Sequence, residues 1–197
     1  LALVFIAVCA LGIGSIFWQQ EMKFALPTPK PQTYREVPVG TVLQLASFST
    51  HLPSGAAFLH FYNPECPCSR FNASHLRQLI RSYRDSVPVI IVVPSAHAQQ
   101  KAKKEFGPEQ QYVVDAHNHI AETCGVYSTP QAVLVDARGA LFYRGNYNRS
   151  RFCTSKATNF AELALVAMLN HQPPPVFLEE ATTAYGCPWN EQLITLE

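Results

Sequence analysis

Charge is scarce in this chain. Only 15% of its 197 residues are Asp, Glu, Lys or Arg, and 15 basic against 14 acidic side chains leave a net charge of +1. No dense basic run appears, so the electrostatic footprint of a phosphate-backbone binder is missing and nucleic acid is set aside as a partner. Six cysteines are too few to staple a chain of this length, and their spacing lacks the paired C-x-x-C halves of a zinc ribbon. Their roles must be read from position. No internal repeat is present. Apolar residues are plentiful at 48%, enough for one domain with a real core and short extras.

Leu1 to Trp18 contains only Gly12, Gly14 and Ser15 outside the apolar set, and no charge appears before Glu21. A run of this length suits a membrane crossing. No small-x-small cleavage site stands between Ser15 and Phe24, so an uncleaved signal anchor over residues 1–20 is expected, with further residues upstream of Leu1. Cys9 follows the bulky Val8, which does not suit lipoprotein processing, and reads as a membrane-buried thiol. Pro27, Pro29, Pro31 and Pro38 then mark residues 21–38 as an extended spacer. A second proline-rich break, Pro173 to Pro175, sets off a C-terminal extension over 173–197.

Between these breaks the pattern alternates. Ala56 to Tyr62 is a short apolar and aromatic run suited to a buried strand, ended by Asn63-Pro64. A helix follows from about Pro67 to Ser86, with Leu76, Leu79, Ile80 and Tyr83 on one face and Arg77, Arg81 and Arg84 on a solvated one. Val87 to Val93 is β-branched and almost wholly apolar, as a strand covered on both faces should be. A second helix (Gln99 to Phe106), a third strand (Gln111 to Asp115) and a helical turn (Ile120 to Val126) come next. Gln131 to Asp136 and Ala140 to Tyr147 then form a hairpin turning at Gly139, and a helix from Asn159 to Asn170, with Asn159 and Glu162 spaced as a capping pair, closes the unit over 39–172.

That order, together with FYNPECPCSRF from Phe61 and GVYSTPQAVLVDARGALFYRG from Gly125, resembles the thioredoxin fold, and most nearly the membrane-anchored TlpA/ResA-like redoxins. The resemblance implies an α/β fold with a central mixed sheet and flanking helices. It also implies a nucleophilic cysteine at the N-terminus of the first helix after the sheet begins, facing a cis-proline at Thr129-Pro130 that exposes backbone for a partner.

The chain departs from the family's C-x-x-C by carrying Cys66-Pro67-Cys68-Ser69. Aligning Cys66 with the first family cysteine keeps the usual distance from strand to nucleophile and puts Ser69 where the second should stand. Unpaired N–H groups and the macrodipole at a helix N-terminus favour a thiolate at Cys66, whereas Glu65 opposes it. Residues i and i+2 of a helix point apart, so a Cys66–Cys68 bridge needs a distorted backbone and is easily reduced. The other route is a mixed disulfide on Cys66 resolved elsewhere, with Cys153 as the candidate. Cys187 sits in a Tyr-Gly-Cys-Pro turn and suits either a structural staple to Cys153 or a place in the relay that resolves Cys66. Cys124 reads as a small buried hydrophobe.

His60 stands six residues before Cys66, where thioredoxins keep a buried acid, and it reads either as a proton carrier or as a satisfied core histidine. His75 reads as a surface residue, and His117 and His119 as solvated loop polarity. Two competing readings are weighed against thiol–disulfide exchange. Cys66 and Cys68 are soft ligands that with a histidine suit a Cu(I) assembly chaperone. A peroxiredoxin-type thiol peroxidase would place Thr or Ser three residues before its cysteine, where this chain has Asn63 before Cys66 and Glu65 before Cys68.

The expectation is therefore a single-pass inner-membrane protein with a thioredoxin-like domain in the periplasm. It would exchange thiols and disulfides with an exported protein partner and need no cofactor beyond its own cysteines. Cys66 attacks, Cys68 or Cys153 resolves, Thr129 and Pro130 dock the partner backbone, and His60 moves a proton.

Overall fold

The computed structural model describes residues 2–18, 26–50, 52–149 and 155–189. Its centre is a five-stranded sheet in the order β3-β2-β1-β5-β6. Here β1 is Ala57–Phe61, β2 Val89–Val93, β3 Gln111–Val114, β5 Gln131–Val135 and β6 Leu141–Gly145. The first three run parallel, and β5 and β6 return antiparallel, with His60 opposite Ile91 on one side and Ala132 on the other. β1, β2 and β5 are buried at every position, which is why they read as unbroken apolar runs rather than alternations.

Alternate side chains sort to two cores. Phe58, Tyr62, Ile91, Val93, Ala132 and Leu134 pack under α2 (Pro67–Tyr83), α3 (Ala96–Phe106) and α5 (Phe160–Leu169). Leu59, Phe61, Ile90, Val92, Val133 and Val135 pack under α4 (His119–Cys124) with Leu43, Leu45 and Trp189. The helices start where local chemistry supplies acceptors. Ser95 Oγ takes the Ala98 amide at 3.1 Å, and the buried Asp115 carboxylate takes the Ile120 and Ala121 amides at 3.2 and 2.9 Å.

The arrangement of β1, cysteine, α2, β2 and a cis Thr129–Pro130 bond opening an antiparallel hairpin is a thioredoxin-like fold. Two expectations are corrected. The spacer reading fails from residue 26 onward: Pro27 bridges Tyr185, the Thr28 amide donates to the Ala184 carbonyl at 2.8 Å, and Val37 packs on the second core. His75 is buried, because α2 is flanked by both α3 and α5 and so covers a broad arc, and its ring meets Tyr147 edge-on. The amino-terminal run is helical over Ala2–Phe17 (α1), 16 residues, a rise of about 24 Å. Among the described residues no helix is long and apolar enough to cross a membrane. Every described side chain of α1 is exposed.

The C-terminal extension is not a free appendage. After Pro173 to Pro175 the chain forms the short helix α6 (Glu179–Thr182), which lays Ala181 into the first core at 0% exposure, and then the two-residue strand β7 (Cys187–Pro188). β7 pairs antiparallel with β4 (Ser128–Thr129), placing Ser128 opposite Pro188 and Thr129 opposite Cys187.

Candidate functional site

Asn63-Pro64 ends β1 and turns the chain into α2. The Asn63 carbonyl accepts the Cys66 amide at 3.0 Å and its side-chain oxygen accepts the Glu65 amide at 3.0 Å. Cys66 is the N-cap of α2, with extended backbone, and Pro67 opens the helix, where no intrahelical N–H is needed. The sulfur of Cys66 thus stands at the helix N-terminus, at a residue 2% exposed.

Cys66 is bonded to Cys187, 121 residues on, with their Cα atoms 5.9 Å apart. This corrects the expected pairings. Cys68 is not the bridge partner: it lies inside the first turn of α2, buried and outside any disulfide, as the divergence of positions i and i+2 dictates. Cys187 is not a staple to Cys153 but the partner of Cys66. Cys153 lies outside the described residues. Cys124 is a free, fully buried thiol beside Asp115, and burial first and that carboxylate second push its pKa well up, as suits a core residue. Cys9 is free and exposed on α1.

The Cys66 sulfur lies 3.4 Å from the Thr129 carbonyl oxygen. A bridged sulfur has no proton to give, and the same separation suits an S–H···O bond once the thiol is released. The Thr129 side chain donates to the Phe61 carbonyl at 3.0 Å, receives the Asn63 amide at 3.2 Å and meets the Ser69 hydroxyl at 2.8 Å. Its single proton is spent on Phe61, so Ser69 is the donor to Thr129. Thr129, Pro130, Cys66 and Ser69 are therefore gathered at one point.

Sequence reasoning missed the tail, whose backbone presses against the domain. Gly186 has φ +147°, and a Cβ there would stand 2.2 Å from the Thr129 carbonyl oxygen. A Cβ on Gly145 would stand 2.2 Å from the Ala181 carbonyl oxygen. Glycine at both places is what allows the approach. Ser128 Oγ donates to the Cys187 carbonyl at 3.0 Å, the Trp189 amide donates to the Tyr127 carbonyl at 2.9 Å, and the Trp189 ring packs edge-on to Phe61, 5.1 Å between centroids.

The charge beside Cys66 is balanced. Lys101 Nζ sits 2.5 Å from Glu65 Oε1, and this hydrogen bond, then the ammonium charge, hold the Glu65 carboxyl below its ordinary range. The opposition of Glu65 to a Cys66 thiolate is thereby reduced. His60 occupies a different place. It faces the first core, wholly buried, with Nδ1 2.6 Å from the Tyr147 hydroxyl and Phe106, Tyr62 and Tyr147 rings around it. Burial first, and His75 second, push its pKa down to about 3, so it is neutral at neutral pH. Cys66 and Cys68, weighed as Cu(I) ligands, do not stand as a pair of free thiols, and among the described residues no group of three His, Cys, Asp or Glu side chains is gathered for a metal ion.

Solved structures resemble this architecture. A hypothetical protein of Sinorhizobium meliloti aligns with a TM-score of 0.60 at 22% identity, over 81% of this chain and 97% of that one. An uncharacterised conserved protein of Geobacillus kaustophilus aligns with 0.64 at 20% identity, over 84% and 97%. The peroxidoxin BcpB of Mycobacterium tuberculosis aligns with 0.51 at 16% identity, over 69% and 98%. At such identities the likeness is one of fold. No curated protein matches the sequence. Residues 41–189, a span holding both Cys66 and Cys187, match the family described as domain of unknown function DUF6436, and the chain belongs to that family.

Proposed function

We propose that the protein is a thiol–disulfide oxidoreductase of the TlpA/ResA-like kind, with Cys66 and Cys187 as its redox pair and the thiols or disulfides of an exported protein as its substrate. One observation carries the reading: the cysteine that caps α2, beside Thr129 and the cis Pro130, is itself in a disulfide. A helix N-terminus favours the thiolate there, and a lowered leaving-group pKa speeds exchange. Cys187 takes the place of redox partner to Cys66 that sequence reasoning gave to Cys68 or Cys153.

An oxidising compartment suits such a pair, which supports the periplasm. The wholly exposed apolar helix α1 supports attachment of the amino-terminal end to the inner membrane, and fractionation followed by carbonate extraction tests that part alone. For the chemistry, the protein is equilibrated across a glutathione redox series and its bridges are mapped by mass spectrometry. Reversible opening of Cys66–Cys187 at a defined ratio, with loss of exchange on a test protein disulfide in Cys66→Ser, is the expected result. A bridge that stays closed at every ratio in the folded protein overturns the reading.

A further inference from the structure

The two sulfurs of the bridge are not equally placed. Cys66 is sealed at 2% exposure, under the tail and against Thr129, whereas Cys187 is only half-buried on the outer strand. The tail is also held without the bridge. Ala181 and Ala184 are buried completely, Trp189 almost so, the Asn146 amide donates to the Ala181 carbonyl, and the Asn146 side chain donates to the Glu180 and Thr183 carbonyls at 2.8 and 2.6 Å. Anchors thus stand on both sides of Cys187. Opening the bridge leaves Cys187 beside Cys66 and leaves the Ser128–Thr129 edge covered by the chain's own backbone.

We infer that Cys187, not Cys66, is the sulfur that exchanges with the outside thiol, and that Cys66 serves as the inner leaving group. This rests on the redox pair proposed above and reverses the expected order of its two members. A partner thiolate attacks the Cys187 sulfur. A partner–Cys187 disulfide forms, the Cys187–Cys66 bond breaks, and the electron pair leaves on Cys66 as a thiolate at the α2 N-terminus. A second partner thiol then attacks the partner's own sulfur in the mixed bond, releasing Cys187 as a thiolate that takes a proton from water. The partner dithiol has become a disulfide and the chain's disulfide a dithiol. Run in reverse, Cys187 opens a partner disulfide and Cys66 resolves it. The partner that fits is a thiol able to reach Cys187 without pairing its backbone to the Ser128–Thr129 edge.

The test uses glutathione disulfide on the reduced variants Cys66→Ser and Cys187→Ser at neutral pH, with modified peptides assigned by mass spectrometry. Thiolate acidity alone favours Cys66, so the two arrangements give opposite orders. Glutathione is expected on Cys187 of Cys66→Ser at least about tenfold faster than on Cys66 of Cys187→Ser. Adding Gly186→Ala to Cys187→Ser, which places a methyl against the Thr129 carbonyl and leaves both cores intact, is expected to raise the Cys66 rate by about tenfold through local opening. Faster modification of Cys66 than of Cys187, unchanged by Gly186→Ala, overturns the inference while the redox pair stands. A Cys66–Cys187 bond that reduced glutathione cannot open in the folded wild-type protein overturns both.

Discussion

The hydroxyls of Ser69 and Thr129 lie 2.8 Å apart, with Ser69 the donor and Thr129 passing its own proton to the Phe61 carbonyl. One side chain therefore ties the end of β1, the first turn of α2 and the strand before the cis-proline into a single corner. Three groups depend on it.

Replacing Thr129 with Val strands those groups, two of them on buried residues. Each buried polar group left without a partner costs about 1–3 kcal/mol. The variant is expected to lose at least about 2 kcal/mol of stability, measured by urea unfolding of the oxidised protein. Unchanged unfolding would show that the corner is held by packing alone.

Ser69 stands three residues after Cys66, the spacing of the second cysteine in the redoxins that the sequence resembles. Ser69→Cys is expected to draw part of Cys66 away from Cys187 into a short-range bridge with position 69, visible as a new disulfide-linked peptide after oxidation. If Cys66 stays wholly on Cys187, the tail holds it more firmly than the helix turn can compete with.

The Cys66–Cys187 bridge closes a loop with a sequence separation of 121. In the chain-entropy treatment a closure of that length stabilises by up to about 5 kcal/mol. Cys187→Ser is expected to lower the unfolding free energy, measured by urea titration, by an amount approaching this, and reductant to lower that of the wild type equally. A variant as stable as the oxidised wild type would place the stabilisation in the tail anchors instead.

His60 is expected to make stability fall in acid. Its folded pKa of about 3 lies below the unfolded value near 6.5, so between these limits the unfolded chain binds one more proton. Stability from this group is whole above about 6.5 and is lost as pH falls, at up to about 1.4 kcal/mol per pH unit. His75, held low by burial against the opposing charge of Glu162, adds in the same direction. Urea midpoints at pH 7, 6 and 5 are expected to fall steeply for wild type and less steeply for His60→Gln. Parallel slopes would rule His60 out as the acid-sensitive group.

The strands β1, β2 and β5 were legible because burial on both faces writes continuous apolar runs, and α2 because its N-terminus is marked by Cys66-Pro67. The tail was not legible. β4 and β7 are two residues each, too short for any periodicity, and their pairing joins positions far apart in the chain, Ser128 with Pro188 and Thr129 with Cys187. Spacing says nothing about which of six cysteines meet when the loop is this long. The approach of Gly186 to Thr129 is a three-dimensional fact, visible in sequence only as a glycine before a cysteine. His75 was misplaced because periodicity identifies the middle of a buried face, and α2 is buried well to either side of it.

The position of Cys187 also bears on how the molecule matures. A chain emerging amino-terminus first presents Cys66 long before its partner exists, and every strand of the five-stranded sheet precedes Cys187 in sequence. The bond can close correctly only after the edge that receives the tail has been built. Until then Cys66 is open to any other cysteine, so the native bridge serves as a record that synthesis and folding of the domain have both been completed.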